Sequence, residues 1–279
     1  MNAVAAGSVG EALGAATDAL AAAGVETPRL DAELLLAEAA GLERARLTAD
    51  PSAGVDAAAA REFGVMVRRR VRREPVAYIL GRKGFRQLEL AVDPRVLIPR
   101  PETELLVEVA LDLRPRRVLD VGTGSGAIAL AVADELAAAE VVATDTSLDA
   151  LAVAQANRAR LGLESRVRLA HGTVPADERF DLVLANLPYV SEAELAALEP
   201  EITRHEPYAA LSSGPTGLEA IEQLLGELAV AGALPGAIAL EVGEGQAATV
   251  GELVRRAGFE RVETRRDLAA IERVVIGRL

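Results

Sequence analysis

From Arg117 to the end of the chain, short apolar runs alternate with helical stretches. This alternation constrains the fold more than any other feature. Strands are expected at 117–120, 140–144, 166–170, 181–185 and 237–242, and helices near 126–137, 148–161, 217–231 and 246–257. At that spacing successive strands are joined by helical crossovers, which gives an α/β fold with a parallel sheet and helices on both faces. Two further strands, near 260–265 and 272–277, lie too close together for a crossover and should add an antiparallel strand. Open α/β sheets bind their ligands at the carboxyl ends of the strands. The residues that end these strands are therefore the ones to read.

The first strand runs Val118-Leu119-Asp120-Val121 and enters the loop Gly122-Thr123-Gly124-Ser125-Gly126. Glycines let a backbone approach a ligand closely, and the following helix N-terminus offers free N–H groups. The pattern is Gly-x-Gly-x-Gly rather than the dinucleotide fingerprint, and no phosphate-binding lysine follows. Without a pyrophosphate signature, the loop favours S-adenosyl-L-methionine, with Asp120 and residues 122–126 as cofactor-binding candidates. Asp145 ends the next strand, about 20 positions on, where an acid can hydrogen-bond both ribose hydroxyls.

The fourth strand ends in Asn186-Leu187-Pro188-Tyr189. The side-chain carbonyl of Asn186 can accept one N–H of a substrate NH2 group, and the backbone carbonyl of Leu187 the other. Pro188 biases Leu187 to an extended conformation and so fixes where that carbonyl points. Tyr189 can lie flat against a planar substrate group. An amide nitrogen is a poor nucleophile, because its lone pair is delocalised into the carbonyl. Gripping both N–H groups orients the lone-pair face and stabilises charge developing on nitrogen. Asn186 through Tyr189 are the catalytic candidates, with Asn186 also next to the cofactor. The two loops together suggest methyl transfer to nitrogen.

Composition removes several other classes. The absence of cysteine excludes disulfides, thiolate nucleophiles and cysteine-ligated zinc, and fits a reducing cytoplasm. His171 and His205 match no metal spacing, so no metal is expected. The net charge of −12 argues against nucleic acid as the main substrate, since binders gain affinity from cations on phosphates. The run Arg68, Arg69, Arg70, Arg72 and Arg73 is a local exception. It reads either as a dock for an acidic partner or as a solvated helix end. The alanine-rich N-terminus lacks the cationic start of a signal peptide, and Glu11 and Asp18 interrupt it. No apolar run is long enough to span a bilayer. A soluble cytoplasmic protein is expected.

Residues 1–74 read as a small helical bundle. Ser8 and Glu11 have capping-box spacing, Gly24 can close the helix, and Thr27-Pro28 opens the next one, which stops at Gly41. A third helix is expected from about Val55 to Arg73, with Phe63, Val67 and Val71 at four-residue intervals on one face. Alternation at Leu88, Leu90 and Val92, with Gly81 and Gly84 between these and Val76–Leu80, suggests a β-hairpin over 75–98 linking two domains. A helix from about Glu102 to Leu113 then opens the segment 99–279.

These features together resemble the release-factor glutamine methyltransferase family (PrmC/HemK). The stretches that carry the resemblance are Arg29-Leu30-Asp31-Ala32-Glu33-Leu34-Leu35-Leu36, Glu74-Pro75-Val76-Ala77-Tyr78-Ile79-Leu80-Gly81 and Leu97-Ile98-Pro99-Arg100-Pro101-Glu102-Thr103-Glu104. The last separates the family from generic methyltransferases. The resemblance implies a helical N-terminal substrate-docking domain, a hairpin linker and a Rossmann-like, seven-stranded methyltransferase sheet. It implies N5-methylation of the glutamine amide in the Gly-Gly-Gln motif of peptide chain release factors, a step tied to translation termination, by an enzyme expected to be a monomer. The family usually has Asn-Pro-Pro-Tyr where this chain has Leu187. It also usually carries an acid followed by an aromatic where this chain has Gly172-Thr173-Val174, leaving Thr173 and Val174 to touch the adenine edge. The alternatives are a ribosomal-protein glutamine methyltransferase, an adenine-N6 nucleic-acid methyltransferase, and a binding module without turnover.

Overall fold

The structure is a computed structural model that describes residues 7–230 and 234–279. The chain forms two compact units. One holds the chain up to Gly81 together with Glu199–His205, and the other holds Arg82–Leu198 and Glu206–Leu279.

The first unit contains α1 (Val9–Ala22), α2 (Pro28–Ala40), α3 (Arg44–Ala49), α4 (Ala57–Val71) and α5 (Val76–Leu80). Ser8 caps α1 by accepting the Glu11 N–H, and the Glu11 carboxylate returns a bond to the Ser8 N–H at 2.9 Å. Gly41 ends α2 in the left-handed region, with φ 61°. The core of the unit is built from Leu13, Leu20, Leu35, Leu36, Leu47 and Phe63. Three expectations are corrected here. Val76–Leu80, expected as the first strand of the hairpin, is a helix, started by Pro75 and ended by Gly81 at φ 72°. The inner face of α4 is Ala59, Phe63, Met66 and Arg70, while Val71 is exposed. Eight residues turn a helix about 80° past two full turns, which carries Val71 off the face that Phe63 occupies. The arginine run is also not a free patch. Arg70 is buried between Asp31 and Glu201, at 2.7 Å from each. Arg73 bonds Glu201 at 2.6 Å and Glu199 at 2.9 Å, and Arg69 pairs with Glu74.

The second unit begins with the hairpin β1 (Arg82–Phe85) and β2 (Leu88–Ala91). A short 3-10 turn at Pro101–Thr103 leads into α6 (Glu104–Leu113). Then follow β3 (Arg117–Val121), α7 (Ala127–Glu135), β4 (Glu140–Asp145), α8 (Leu148–Arg160), β5 (Val167–His171), β6 (Leu182–Ala185) and α9 (Glu192–Leu195). The helix α10 (Pro200–His205), which carries Glu201, belongs to the first unit. The chain ends with α11 (Glu219–Val230), β7 (Ala237–Glu241), α12 (Ala247–Arg256), β8 (Arg261–Arg266) and β9 (Glu272–Arg278). The helix expected at 217–231 is α11, and its last expected residue lies outside the described residues.

The seven strands lie in the order β5-β4-β3-β6-β7-β9-β8, and β9 alone runs against its neighbours. This is the expected Rossmann-like sheet with the late antiparallel strand. Alternate residues of one strand serve two cores. Val118 faces α6 and α7, with Leu106 and Leu130, while Leu119 and Val121 face α11 and α12, with Leu224 and Val250. Both faces are covered, so the strands read as continuous apolar runs rather than alternating ones. Among the described residues, no helix is long and apolar enough to cross a membrane.

Candidate active site

The sheet turns back between β3 and β6. From β3 the order grows outward through β4 and β5 on one side, and through β6 and β7 on the other. Val121 is level with Thr144 on one neighbour and Ala185 on the other, and Ala185 is level with Leu240. The next residues are Gly122, Asp145, Asn186 and Glu241. Distant parts of the chain are thus delivered to one edge of the sheet, where a crevice is expected.

The glycine loop is held by its own backbone and by buried polar side chains. The Gly122 and Thr123 N–H groups both donate to the Thr144 carbonyl at 2.9 Å. The Gly124 N–H donates to Asp145 Oδ2 at 2.9 Å, and the Ser147 N–H to Asp145 Oδ1 at 2.8 Å. Gly126 caps α7 with φ 85°, and a Cβ there would stand 2.9 Å from Leu130 Cδ1. Beneath the loop lies Asp120, wholly buried. It accepts from Thr123 Oγ1 at 2.6 Å and from the Ala129 N–H at 3.2 Å. Its other oxygen has no partner among the described residues. Burial pushes the Asp120 carboxyl up to about 7, against the pull of these two bonds. Asn157, also fully buried, fastens the loop to the hairpin. Its amide donates to the Ser125 and Ala91 carbonyls at 2.9 Å and accepts the Ala91 N–H at 2.7 Å.

A cleft of about 480 Å³ opens over this edge. Gly122, Thr123, Gly124, Ser125, Asp145, Thr173, Asn186, Leu187 and Pro188 all line it. Four candidates are placed elsewhere. Asp120 and Gly126 brace the loop from below, and Val174 packs into the core beneath α11. Tyr189 is turned away from the cleft wall, with its hydroxyl 3.5 Å from Glu241 Oε1. Burial, with the Glu241 charge beside it, pushes Tyr189 up to about 12.

The Asn186 amide has a defined polarity. Its Nδ2 donates to Thr103 Oγ1 at 3.0 Å, and Oδ1 has no hydrogen-bond partner among the described residues. In the same loop, the Pro188 carbonyl accepts from Ser213 Oγ at 3.1 Å and the Tyr189 carbonyl from Gln246 Nε2 at 2.8 Å. The Leu187 carbonyl has no such partner among the described residues. Gly217, with φ 73°, passes so close to this loop that a Cβ would fall 2.2 Å from the Tyr189 carbonyl oxygen. The two loops themselves touch, for a Cβ on Gly122 would lie 3.1 Å from Leu187 Cδ2. At the other end of the cleft, Thr173 Oγ1 donates to Glu227, and Gln223 Nε2 donates to the same carboxylate at 2.8 Å.

The sequence reading assigned no role to four residues at this edge. Thr103 sits in the turn before α6, and Tyr208 and Gln223 line the cleft from segments far along the chain. Glu241 is 2% exposed, and burial pushes its carboxyl up to about 7. One signal was available for Glu241: an acid that ends an apolar strand, as Asp120 and Asp145 do.

Comparison with known proteins places the chain among methyltransferases. It matches the PrmC N-terminal domain family over residues 11–81 and the methyltransferase small domain family over residues 101–205. It is 42% identical over 270 residues to the release factor glutamine methyltransferase of Caulobacter vibrioides, covering 94% of this chain and 93% of that one. It is 44% identical over 261 residues to the release factor glutamine methyltransferase of Bordetella pertussis, covering 90% and 95%. Among solved structures, the hMettl16 catalytic domain in complex with a MAT2A 3'UTR hairpin superposes with TM-score 0.57. That match is at 15% identity and covers 68% of this chain and 74% of that one. The N-terminal domain of human METTL16 in complex with SAH gives 0.51 at the same identity, covering 68% and 75%. At that identity the likeness is one of fold.

Proposed function

Because the chain belongs to the release factor glutamine methyltransferase family, we propose that its cleft binds S-adenosyl-L-methionine and presents the methyl group to the Gly-Gly-Gln glutamine of a peptide chain release factor. The observation that carries the site assignment is the polarity of Asn186. Its NH2 group is already spent on Thr103, and Asn186 lines the cleft together with Leu187 and the glycine loop, so Oδ1 is the end left for a substrate donor.

The residues present suit this cofactor. The volume is within the usual range for small-molecule sites. Asp145 is a carboxylate at the cleft wall, suited to ribose hydroxyls, and Gly124 leaves open space where a side chain would stand. When bound, the cofactor supplies an electrophilic sulfonium methyl, so the chain needs neither a metal nor a strong base. Gly122–Ser125 would hold the amino-acid end and Asp145 the ribose, with Gly126 bracing the loop from below. Thr173, oriented by Glu227, and Gln223 meet the adenine edge in place of the acid usual in the family. Asn186 Oδ1 accepts one N–H of the substrate amide and the Leu187 carbonyl the other. The two acceptors would orient the amide nitrogen and stabilise positive charge developing on it. The proton displaced from the amide nitrogen would pass to solvent water. Tyr189 supports the loop from behind rather than stacking on substrate. The N-terminal helical unit, which has no catalytic pattern, is assigned to docking of the release factor. A monomer acting in the cytoplasm, on protein rather than nucleic acid, fits the charge of −12.

The test is to incubate the protein with methyl-labelled cofactor and, separately, release factors, ribosomal proteins and DNA. Label is expected in release factor. Label confined to a ribosomal protein would move the substrate to the sister activity, and label confined to DNA would refute the assignment.

A further inference from the structure

Resting on the reading that the Leu187 carbonyl grips one N–H of the substrate amide, we propose that Gln246 is a positioning residue that sets the direction of that carbonyl by holding the far end of its loop. Two torsions lead from Asn186 to the Leu187 carbonyl. The second, ψ of Leu187, is narrowed by the proline that follows. The first, φ of Leu187, belongs to a leucine and has no such lock. The direction of the carbonyl is therefore left to whatever holds the loop beyond it, at Pro188 and Tyr189.

That side is held by bonds of defined direction. Gln246 Nε2 donates to the Tyr189 carbonyl at 2.8 Å, and Gln246 Oε1 accepts the Gly243 N–H at 2.9 Å. Both partners are backbone groups with a single role, one acceptor and one donor. A reversed amide would set carbonyl against carbonyl and N–H against N–H, so the Gln246 side chain has one orientation. The neighbouring Pro188 carbonyl accepts from Ser213 Oγ at 3.1 Å. Peptide groups are planar and the Pro188 ring fixes its own φ. With Asn186 held just after β6 and the peptide groups after Pro188 held as well, the Leu187 group between them is not free to turn.

Two further observations point the same way. Gln246 stands at the N-cap of α12, where Ser, Thr, Asp and Asn are favoured for their side-chain bonds to the helix. It makes no such bond, and its amide reaches instead to a loop 57 residues earlier in the chain. Gly217 crowds the same carbonyl, since a Cβ there would fall 2.2 Å from the Tyr189 oxygen, so the Tyr189 peptide group has little room to rotate. Gln246 is not among the residues that line the cleft. It acts through the loop rather than on substrate or cofactor.

The experiment measures kcat and KM on a whole release factor, cofactor affinity by calorimetry with S-adenosylhomocysteine, and melting temperature, for Gln246→Met, Leu187→Pro and the double variant. Gln246→Met keeps the length of the side chain and removes both bonds. It is expected to lower kcat about 10- to 100-fold, as misplacement of a reacting group does. Cofactor affinity should stay within about twofold, which places the loss in turnover rather than in binding. Leu187→Pro locks the free torsion by itself. On that background Gln246→Met should cost less than about threefold in kcat, a non-additivity that a merely structural role does not produce. If Gln246→Met does not fold, Gln246→Ala carries the same expectations. The proposal is overturned if Gln246→Met keeps wild-type kcat, if its loss lies wholly in cofactor affinity, or if the penalty is the same on both backgrounds. A folded Leu187→Pro protein without turnover overturns it too, by removing the carbonyl's role. Asn186→Ala run alongside separates the two levels. Full activity there refutes the clamp itself, whereas an inactive Asn186→Ala beside a fully active Gln246→Met refutes only the positioning of its loop.

Discussion

Replacing Asp145 by alanine tests the cofactor half of the site quantitatively. Each carboxylate oxygen already accepts one backbone N–H, from Gly124 and from Ser147, and each retains a further lone pair for a ribose hydroxyl. A hydrogen bond to a charged group contributes about 1.5–3 kcal/mol. Asp145 is only half-buried, so water enters the vacated space and the loss stays near the value for one such bond. At about 1.4 kcal/mol per tenfold change, affinity for S-adenosylhomocysteine should fall about 10- to 100-fold. Calorimetry reads this directly. Thermal melting gives an independent measure: ligand at about 100 times the wild-type Kd adds about 2.7 kcal/mol to wild type, and well under about 1 kcal/mol to a variant weakened 100-fold. Asp145→Asn keeps one acceptor oxygen and should lose less. A folded Asp145→Ala protein with unchanged affinity would refute the ribose assignment and leave Asp145 as a brace for the glycine loop alone.

Leu187→Pro should retain turnover within about tenfold, because the backbone carbonyl survives and proline suits an extended chain; collapse of kcat in a folded variant would sink the carbonyl's role. Arg70→Ala should lower unfolding free energy by about 3–5 kcal/mol, since it leaves Asp31 and Glu201 without their shared buried cation; denaturant titration showing less than about 1 kcal/mol would place this pair in solvent. Asp120 gives a pH signature. Its carboxyl is raised to about 7 in the folded protein, so between about pH 4 and 7 the folded state holds a proton that the unfolded state has released. Its contribution to stability therefore declines as pH rises through that window and levels off above it. Asp120→Asn lacks this term, so its stability relative to wild type should improve across the window; a flat difference would show that Asp120 ionises normally.

The sheet was legible because β3, β4, β6 and β7 are buried on both faces and so read as short apolar runs. The glycine loop and the Asn186–Tyr189 loop were legible as strand-end loops because each directly follows such a run. Errors came where a local signal outweighed periodicity. Val76–Leu80 has β-branched and aromatic residues, yet Pro75 and Gly81 bracket it as one helical turn. In α4, the four-residue repeat puts Phe63, Val67 and Val71 on one face, whereas the 3.6-residue period sends Arg70 inward and Val71 outward. The fate of the arginine run depended on Glu199 and Glu201, more than 120 residues away, which no local pattern reports. Thr103 was invisible for the same reason: its partner Asn186 lies 83 positions on. Asp120 reads as a ligand contact from the sequence because it precedes the glycines. The alternation of β3 instead puts it on the face of Val118, beneath the helix that the loop opens.

The central claim is that Asn186 and its loop present a glutamine amide for methylation. Tandem mass spectrometry of a release factor, after incubation with the protein and S-adenosyl-L-methionine, tests it most directly. The account predicts one added methyl, on the side-chain nitrogen of the Gly-Gly-Gln glutamine. Asn186→Ala should slow its appearance about 10²- to 10³-fold through kcat, and a substrate with glutamate at that position should gain none. A methyl on another residue, or an undiminished rate with Asn186→Ala, would contradict it.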